Sequence, residues 1–287
     1  MTEKGSMFAD KIAWVTGASS GIGQALATEL SARGASVILS GRREAELKRL
    51  AKASGGETLV LPFEATDFDA LPAIIDKALA WKGRIDILIN NAGVSQRCLA
   101  LDTEFETYRR IMEIDFFAPL RLTQLVLPSM VARRSGHISV ISSVAGKVGA
   151  PLRTGYCAAK HAVIGYFDAL RAEIAASYGI GVSVVLPGSV RTAVAKNALL
   201  ADGSARGRSD ENIDNGMEPA RVAAIILDGI AAGRREIPIA EGMELAAMDL
   251  RKANPDALFD LLGKEGARLA ALRASGASID PKRIDRE

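Results

Sequence analysis

Cysteine is scarce in this chain: Cys98 and Cys157 are the only two among 287 residues. Two thiols so far apart do not make a disulfide scaffold, and they suit a reducing compartment. Excess charge of one sign is also lacking. The formal net charge is +2, and no dense Lys/Arg block precedes the C-terminal tail, so nothing points to a nucleic-acid partner. Long hydrophobic runs are missing. No stretch reaches the ~18 to 20 apolar residues that span a bilayer. Residues 1–10, MTEKGSMFAD, lack the basic region and apolar run of a secretory leader. There is no internal repeat and no linker that would split the chain. The expectation is a cytoplasmic protein with no integral membrane segment and no metal. Its length suits a large α/β domain that can bury about three-quarters of its unfolded surface.

What is present is an alternation of apolar runs with segments of helical period, from residue 11 to about residue 240. Strands are expected at Lys11–Val15, Ser36–Ser40, Thr58–Phe63, Ile85–Asn90, His137–Ser142, Val182–Leu186 and Glu236–Ala240. Helices are expected between them: Gly21–Arg33, Glu44–Ala53, Phe68–Trp81, Thr103–Ile114, Pro119–Arg134, Tyr156–Tyr178 and Pro219–Gly233. Strands separated by helices imply right-handed βαβ units, and continuous Val/Ile/Leu strands imply a parallel sheet covered on both faces. Pro128 should kink its helix. Residues 202–216, DGSARGRSDENIDNG, read as a mobile polar loop. Residues 1–10 form an N-terminal extension. Residues 241–287 form a C-terminal extension of one or two helices broken near Pro255, with a solvated tail carrying Lys282, Arg283 and Arg286.

Three residues carry candidate chemistry. Tyr156 and Lys160 stand one turn apart on one helix face. A phenol ordinarily ionises near ~10, and an ammonium held nearby favours the phenolate, so the pair can exchange a proton near neutrality. Ser143 offers a hydroxyl to a carbonyl oxygen as charge grows on it. Alone, the Y-x-x-x-K spacing arises by chance in many helices. Its weight comes from Thr16-Gly17-Ala18-Ser19-Ser20-Gly21-Ile22-Gly23, which comes after the first strand and opens the first helix. Glycines let a pyrophosphate approach the backbone, and the helix N-terminus presents N–H groups with partial positive charge. The spacing is G-x-x-x-G-x-G rather than the commoner G-x-G-x-x-G. The second strand ends at Gly41-Arg42-Arg43, where an acidic residue would receive the 2′-hydroxyl of NAD. Arginines there favour a 2′-phosphate and hence NADP(H) over NAD(H), although Arg42 and Arg43 would also suit the start of an exposed helix.

Together with Asn90-Asn91-Ala92-Gly93 and Pro187-Gly188 followed by Thr192, these motifs resemble the short-chain dehydrogenase/reductase family in its non-extended branch, over residues 11–240. The resemblance implies a Rossmann-like doubly wound parallel sheet of seven strands, order 3-2-1-4-5-6-7, in a single domain. It implies Tyr156 as acid/base, Lys160 on the nicotinamide ribose and Ser143 on the carbonyl oxygen. It further implies a cofactor held by Gly17, Ser19, Ser20, Gly21, Ile22, Gly23, Arg42, Arg43, Glu64, Ala65, Asn91, Ala92, Gly93, Pro187, Gly188, Val190 and Thr192. Many relatives carry an asparagine that completes a catalytic tetrad with the equivalents of Ser143, Tyr156 and Lys160, and this chain places Asp115 in that catalytic position. A carboxylate there cannot donate unless protonated, and it would favour a charged Lys160. The C-terminal segment Gly233–Ile237, with 248–259, is similar to the group around 11β-hydroxysteroid dehydrogenase type 1.

The implied activity is ketone–alcohol interconversion with NADP(H). The alternatives are a cofactor-binding protein with lost catalysis and a 3-oxoacyl thioester reductase. The substrate loop is expected at about 191–217. With 95–101 and 146–153 it would bring Val148, Leu152, Val194, Ala198, Leu199 and Leu200 around a moderately hydrophobic carbonyl compound. A homodimer or homotetramer would form through the helices at 103–134 and 156–178. Arg97 and Cys98 border the substrate mouth or sit in a surface loop. His161, turned about 100° from Lys160, reads as a packing or subunit-interface residue, and His137 and Cys157 as packing residues.

Overall fold

The computed structural model describes residues 7–279. The tail residues Lys282, Arg283 and Arg286 lie outside them. The apolar runs form β1 (Ile12–Val15), β2 (Ser36–Leu39), β3 (Thr58–Val60), β4 (Ile87–Asn90), β5 (Gly136–Ile141), β6 (Ile180–Pro187) and β7 (Glu236–Ile239). All neighbours are parallel, in the order β3-β2-β1-β4-β5-β6-β7, as the resemblance implies. Alternate strand residues face opposite layers. Ala13, Val15, Ile87 and Ile89 pack with α1 (Gly21–Ala32), α2 (Glu44–Ala53) and α8 (Pro219–Ala231) through Leu26, Leu47 and Ile226. Ile12, Trp14, Leu88 and Val140 pack on the other side against α3 (Leu71–Lys82), α5 (Ala118–Arg133) and α6 (Thr154–Tyr178) through Ile75, Val126 and Phe167. Phe8 is buried in the first of these layers, so the end of the expected N-terminal extension belongs to the core.

Helix α5 runs on through Pro128, within its expected span. Pro128 and Gln124 both face solvent, so water can satisfy the carbonyl freed by the missing N–H. Between α4 (Phe105–Met112) and α5 the chain makes a π-turn at Glu113–Phe117. The polar stretch 202–216 contains a short helix, α7 (Glu211–Asp214), and is pinned from within: Arg206 and Asp210 are buried. Arg97 and Cys98 are buried as well, so the surface-loop alternative for them fails. The C-terminal extension forms α9 (Gly242–Ala253) and α10 (Pro255–Ala274), broken at Asn254. Met248 and Leu258 anchor them in the core.

Candidate active site

A cleft of about 500 Å³ runs past the carboxyl ends of β1, β2, β4, β5 and β6. One end is built by the β1–α1 turn. Gly17 takes φ 65°, and a Cβ there would lie 2.9 Å from the Asn91 amide, so only glycine lets the two turns meet. Thr16 Oγ1 accepts the N–H groups of Asn91 (2.9 Å) and Ala92 (3.1 Å), and the Asn91 amide donates to the Thr16 carbonyl (2.9 Å). Ser20, the N-cap of α1, makes no side-chain cap, which leaves the first-turn N–H groups facing the cleft. Arg43 donates to Ser19 Oγ (3.1 Å) and Ser20 Oγ (2.7 Å). Arg42 lies 3.6 Å from Glu64 across the cleft wall, both well exposed. This end offers two guanidinium groups, two hydroxyls and an uncapped helix, a donor set suited to an elongated anionic ligand.

At the other end stand Ser143, Tyr156 and Lys160, all on the cleft wall. Lys160 Nζ lies 5.7 Å from the centre of the Tyr156 ring and donates to the Ile141 carbonyl at 3.1 Å. Ser143 Oγ donates to the Pro187 carbonyl (3.3 Å) and accepts the Ala145 N–H (3.1 Å). Behind Lys160, Asp115 is fully buried. Its Oδ1 accepts the Val94 N–H at 2.8 Å, and its Oδ2 sits 3.5 Å from Lys160 Nζ with no hydrogen-bond partner. Burial raises the Asp115 carboxyl above its ordinary range, against the opposing pull of Lys160 and the Val94 N–H. Gly93 admits this pair, since a Cβ there would lie 3.1 Å from Asp115 Oδ1 and 3.3 Å from Lys160 Nζ. The π-turn carries Asp115 and turns it inward.

Of the residues singled out from the sequence, Gly17, Ser19, Ser20, Gly21, Ile22, Arg42, Arg43, Glu64, Ala65, Asn91, Ala92, Gly93, Ser143, Tyr156, Lys160, Pro187, Gly188, Val190 and Thr192 line this cleft. Gly23 and Asp115 do not; they support it from behind. Among the expected substrate contacts, Val194 and Leu199 line the cleft, joined by Val94, Arg110, Asn197 and Ile213. Val148, Leu152 and Ala198 are instead buried in the packing. His161 faces solvent, with Nδ1 2.8 Å from the Cys157 carbonyl. Burial raises the Cys157 thiol. His137 is enclosed beside Ser183, and burial lowers it to about 4.

Two arrangements have no signal in the sequence. Gln96, fully buried, turns its amide oxygen onto the N–H groups of Gly155 (2.7 Å) and Tyr156 (3.3 Å), capping α6 where Arg153 makes no side-chain cap. Its amide nitrogen donates to Cys98 Sγ (3.2 Å) and Thr103 Oγ1 (3.3 Å). Asp210, in the polar stretch 202–216, pairs with Arg97 (2.5 Å) and with Arg206, all three buried. Burial alone would raise the Asp210 carboxyl, but the two arginines outweigh it and hold it low. Burial and the neighbouring Arg153 bring Arg97 down to about 10.

Comparison with known proteins places this geometry in context. The family model described as short chain dehydrogenase matches residues 11–202. The chain is 43% identical over 200 residues to the human protein named dehydrogenase/reductase SDR family member 7, covering 67% of this chain and 59% of that protein. It is 36% identical over 280 residues to dehydrogenase/reductase SDR family member 7B of Xenopus tropicalis, covering 94% and 90%. A crystal structure of a short chain dehydrogenase/reductase from Burkholderia phymatum in complex with NAD superposes with TM-score 0.78 at 24% identity, covering 87% of this chain and 95% of that one. At that identity the likeness is one of fold. Among the described residues no helix is long and apolar enough to cross a membrane.

Proposed function

The chain belongs to the short-chain dehydrogenase/reductase family, a family of oxidoreductases, and from that premise we propose that it interconverts a ketone or aldehyde and an alcohol using NADP(H). The observation that carries the proposal is a single cleft with Ser143, Tyr156 and Lys160 at one end and Arg42, Arg43 and the uncapped start of α1 at the other.

The chemistry supplied by a bound nicotinamide dinucleotide is hydride transfer at the carbonyl carbon. The protein's own part is binding, orientation and proton transfer. Ser19, Ser20 and the α1 N-terminus would hold the pyrophosphate, and Arg42, with Arg43 beside it, the 2′-phosphate. Glu64 and Ala65 would contact the adenine, Asn91, Ala92 and Gly93 the adenosine, and Pro187, Gly188, Val190 and Thr192 the nicotinamide. Tyr156 gives its phenolic proton to the substrate oxygen in reduction and takes it back in oxidation. Ser143 turns its hydroxyl from the Pro187 carbonyl to that oxygen as negative charge develops. Lys160, held between the Ile141 carbonyl and Asp115, sets the field around the phenol. Val94, Val194, Leu199 and Ile213 form an apolar wall for a hydrophobic carbonyl compound, a 3-oxoacyl thioester included.

The test is oxidation of NADPH and NADH by the purified chain, followed at 340 nm against a panel of ketones, diketones and 3-oxoacyl thioesters. Turnover that prefers NADPH is the expected result. One observation favours a second reading: the Asp115–Lys160 pair engages the lysine from behind, as suits a protein that binds the cofactor without turnover. Tight NADPH binding with no oxidation of any substrate would select that reading.

A further inference from the structure

We infer that Glu244, in the first turn of α9, is a positioning residue that clamps the turn after β6 and so tunes the grip on the dinucleotide; this rests on reading the cleft as that ligand's site. Helix α9 lies beyond the residues matched by the family model. Glu244 Oε2 accepts the Ser189 N–H at 2.7 Å, and Oε1 accepts the Ser189 hydroxyl at 2.8 Å. Both are charge-assisted bonds to a single residue, shorter and stronger than neutral ones. Ser189 directly succeeds Pro187 and Gly188, and Val190 comes next; these three neighbours line the cleft.

The flanking Gly188 N–H and the Ser189 carbonyl are already engaged within the fold. The Gly188 N–H donates to the Ile239 carbonyl (2.8 Å), and the Ser189 carbonyl accepts the Met217 N–H (3.0 Å). The Ser189 N–H is the donor that only Glu244 satisfies. Gly188 makes room for it, since a Cβ there would lie 2.0 Å from Glu244 Oε2. The same turn presents the Pro187 carbonyl to Ser143 Oγ at 3.3 Å. The C-terminal extension thereby reaches both the cofactor wall and the hydroxyl that faces the substrate, through one carboxylate.

The experiment compares Glu244→Ala, Glu244→Gln and Ser189→Ala with the wild type. NADPH dissociation constants are measured by nucleotide fluorescence titration, alongside melting curves without ligand and steady-state kinetics. Glu244→Ala should weaken NADPH binding by about tenfold or more, the effect of removing a charge-assisted bond, and raise KM for NADPH more than it lowers kcat. Glu244→Gln should recover most of the affinity, because its oxygen can accept the Ser189 N–H while its amide donates to Ser189 Oγ. Ser189→Ala, which keeps the backbone bond, should fall between. Unchanged affinity in Glu244→Ala, or equal losses in Glu244→Ala and Glu244→Gln, overturns the clamp. A lowered melting point with unchanged affinity does so too. A wild type that binds neither NADPH nor NADH overturns the reading of the cleft, and it does so before any substitution is made.

Discussion

Replacing Gln96 with leucine isolates one amide on which the helix carrying Tyr156 rests. The side-chain volume is nearly conserved, so little cavity forms. The lost group is the oxygen that receives the N–H groups of Gly155 and Tyr156 at 2.7 and 3.3 Å. Helix α6 has no side-chain cap of its own, and Gly155 is buried. An unpaired buried donor costs ~1–3 kcal/mol, and loss of an ordinary N-cap ~1 kcal/mol. The two bonds share one oxygen, so their losses do not simply add. The expected total is about 2–4 kcal/mol, which on a domain of this size lowers Tm by roughly 3–7 °C. Urea unfolding followed by circular dichroism, paired with a thermal scan, measures both quantities. The freed first turn carries Tyr156, so kcat should fall further than NADPH affinity, to which the α1 turn and the turn after β6 contribute apart from α6. A loss below about 0.5 kcal/mol, the scatter of ordinary surface substitutions, would refute the assignment of Gln96 as the cap.

The same geometry leads to other outcomes. Tyr156→Phe should abolish turnover while NADPH binding by fluorescence titration stays within a fewfold of wild type. Arg42→Ala should cut the preference for NADPH over NADH by about 10- to 100-fold, because hydrogen bonds to charged groups contribute ~1.5–3 kcal/mol; an unchanged ratio would remove Arg42 from the 2′-phosphate. Asp210→Asn removes the carboxylate that pairs with the buried Arg97 guanidinium, which should destabilise the chain by about 3–5 kcal/mol and expose the 202–216 loop to limited proteolysis. His137, lowered to about 4 by burial, stays neutral in the fold while its unfolded counterpart protonates near ~6.5. Its stabilising contribution is therefore full above the unfolded value and is lost as pH falls from there through about 4. The span corresponds to ~3 kcal/mol, and unfolding free energies of His137→Gln over that window should be flatter than those of wild type.

Strands and helices are legible because burial imposes a period. Apolar runs such as Val37–Leu39 and Ile87–Ile89 sit between two helical layers and have to be continuous. Strand ends are less legible: the apolar run Thr58–Phe63 outlasts its ladder, which stops at Val60. The cleft is legible where chemistry fixes local spacing, as in Tyr156 with Lys160 or Gly17 through Gly21. Polar contacts between residues far apart in the chain escape: Gln96 with Gly155 (59 apart), Arg97 with Asp210 (113 apart) and Ser189 with Glu244 (55 apart). A buried polar side chain in a loop has no periodic neighbour to announce it. The charges of 202–216 suggest a solvated, mobile stretch, whereas Asp210 and Arg206 neutralise one another inside.

The wide turn at Glu113–Phe117 has a bearing on how this lineage can vary in length. A π-turn holds one residue more than the α-helical winding on either side requires. Deleting a neighbour of Asp115 there would let the turn close to ordinary α-winding while the stripe Leu122–Val126–Met130 kept its seat on the sheet. The change would fall on the turn itself and shift Asp115 relative to Lys160. Residue count and side chain together aim the buried carboxylate.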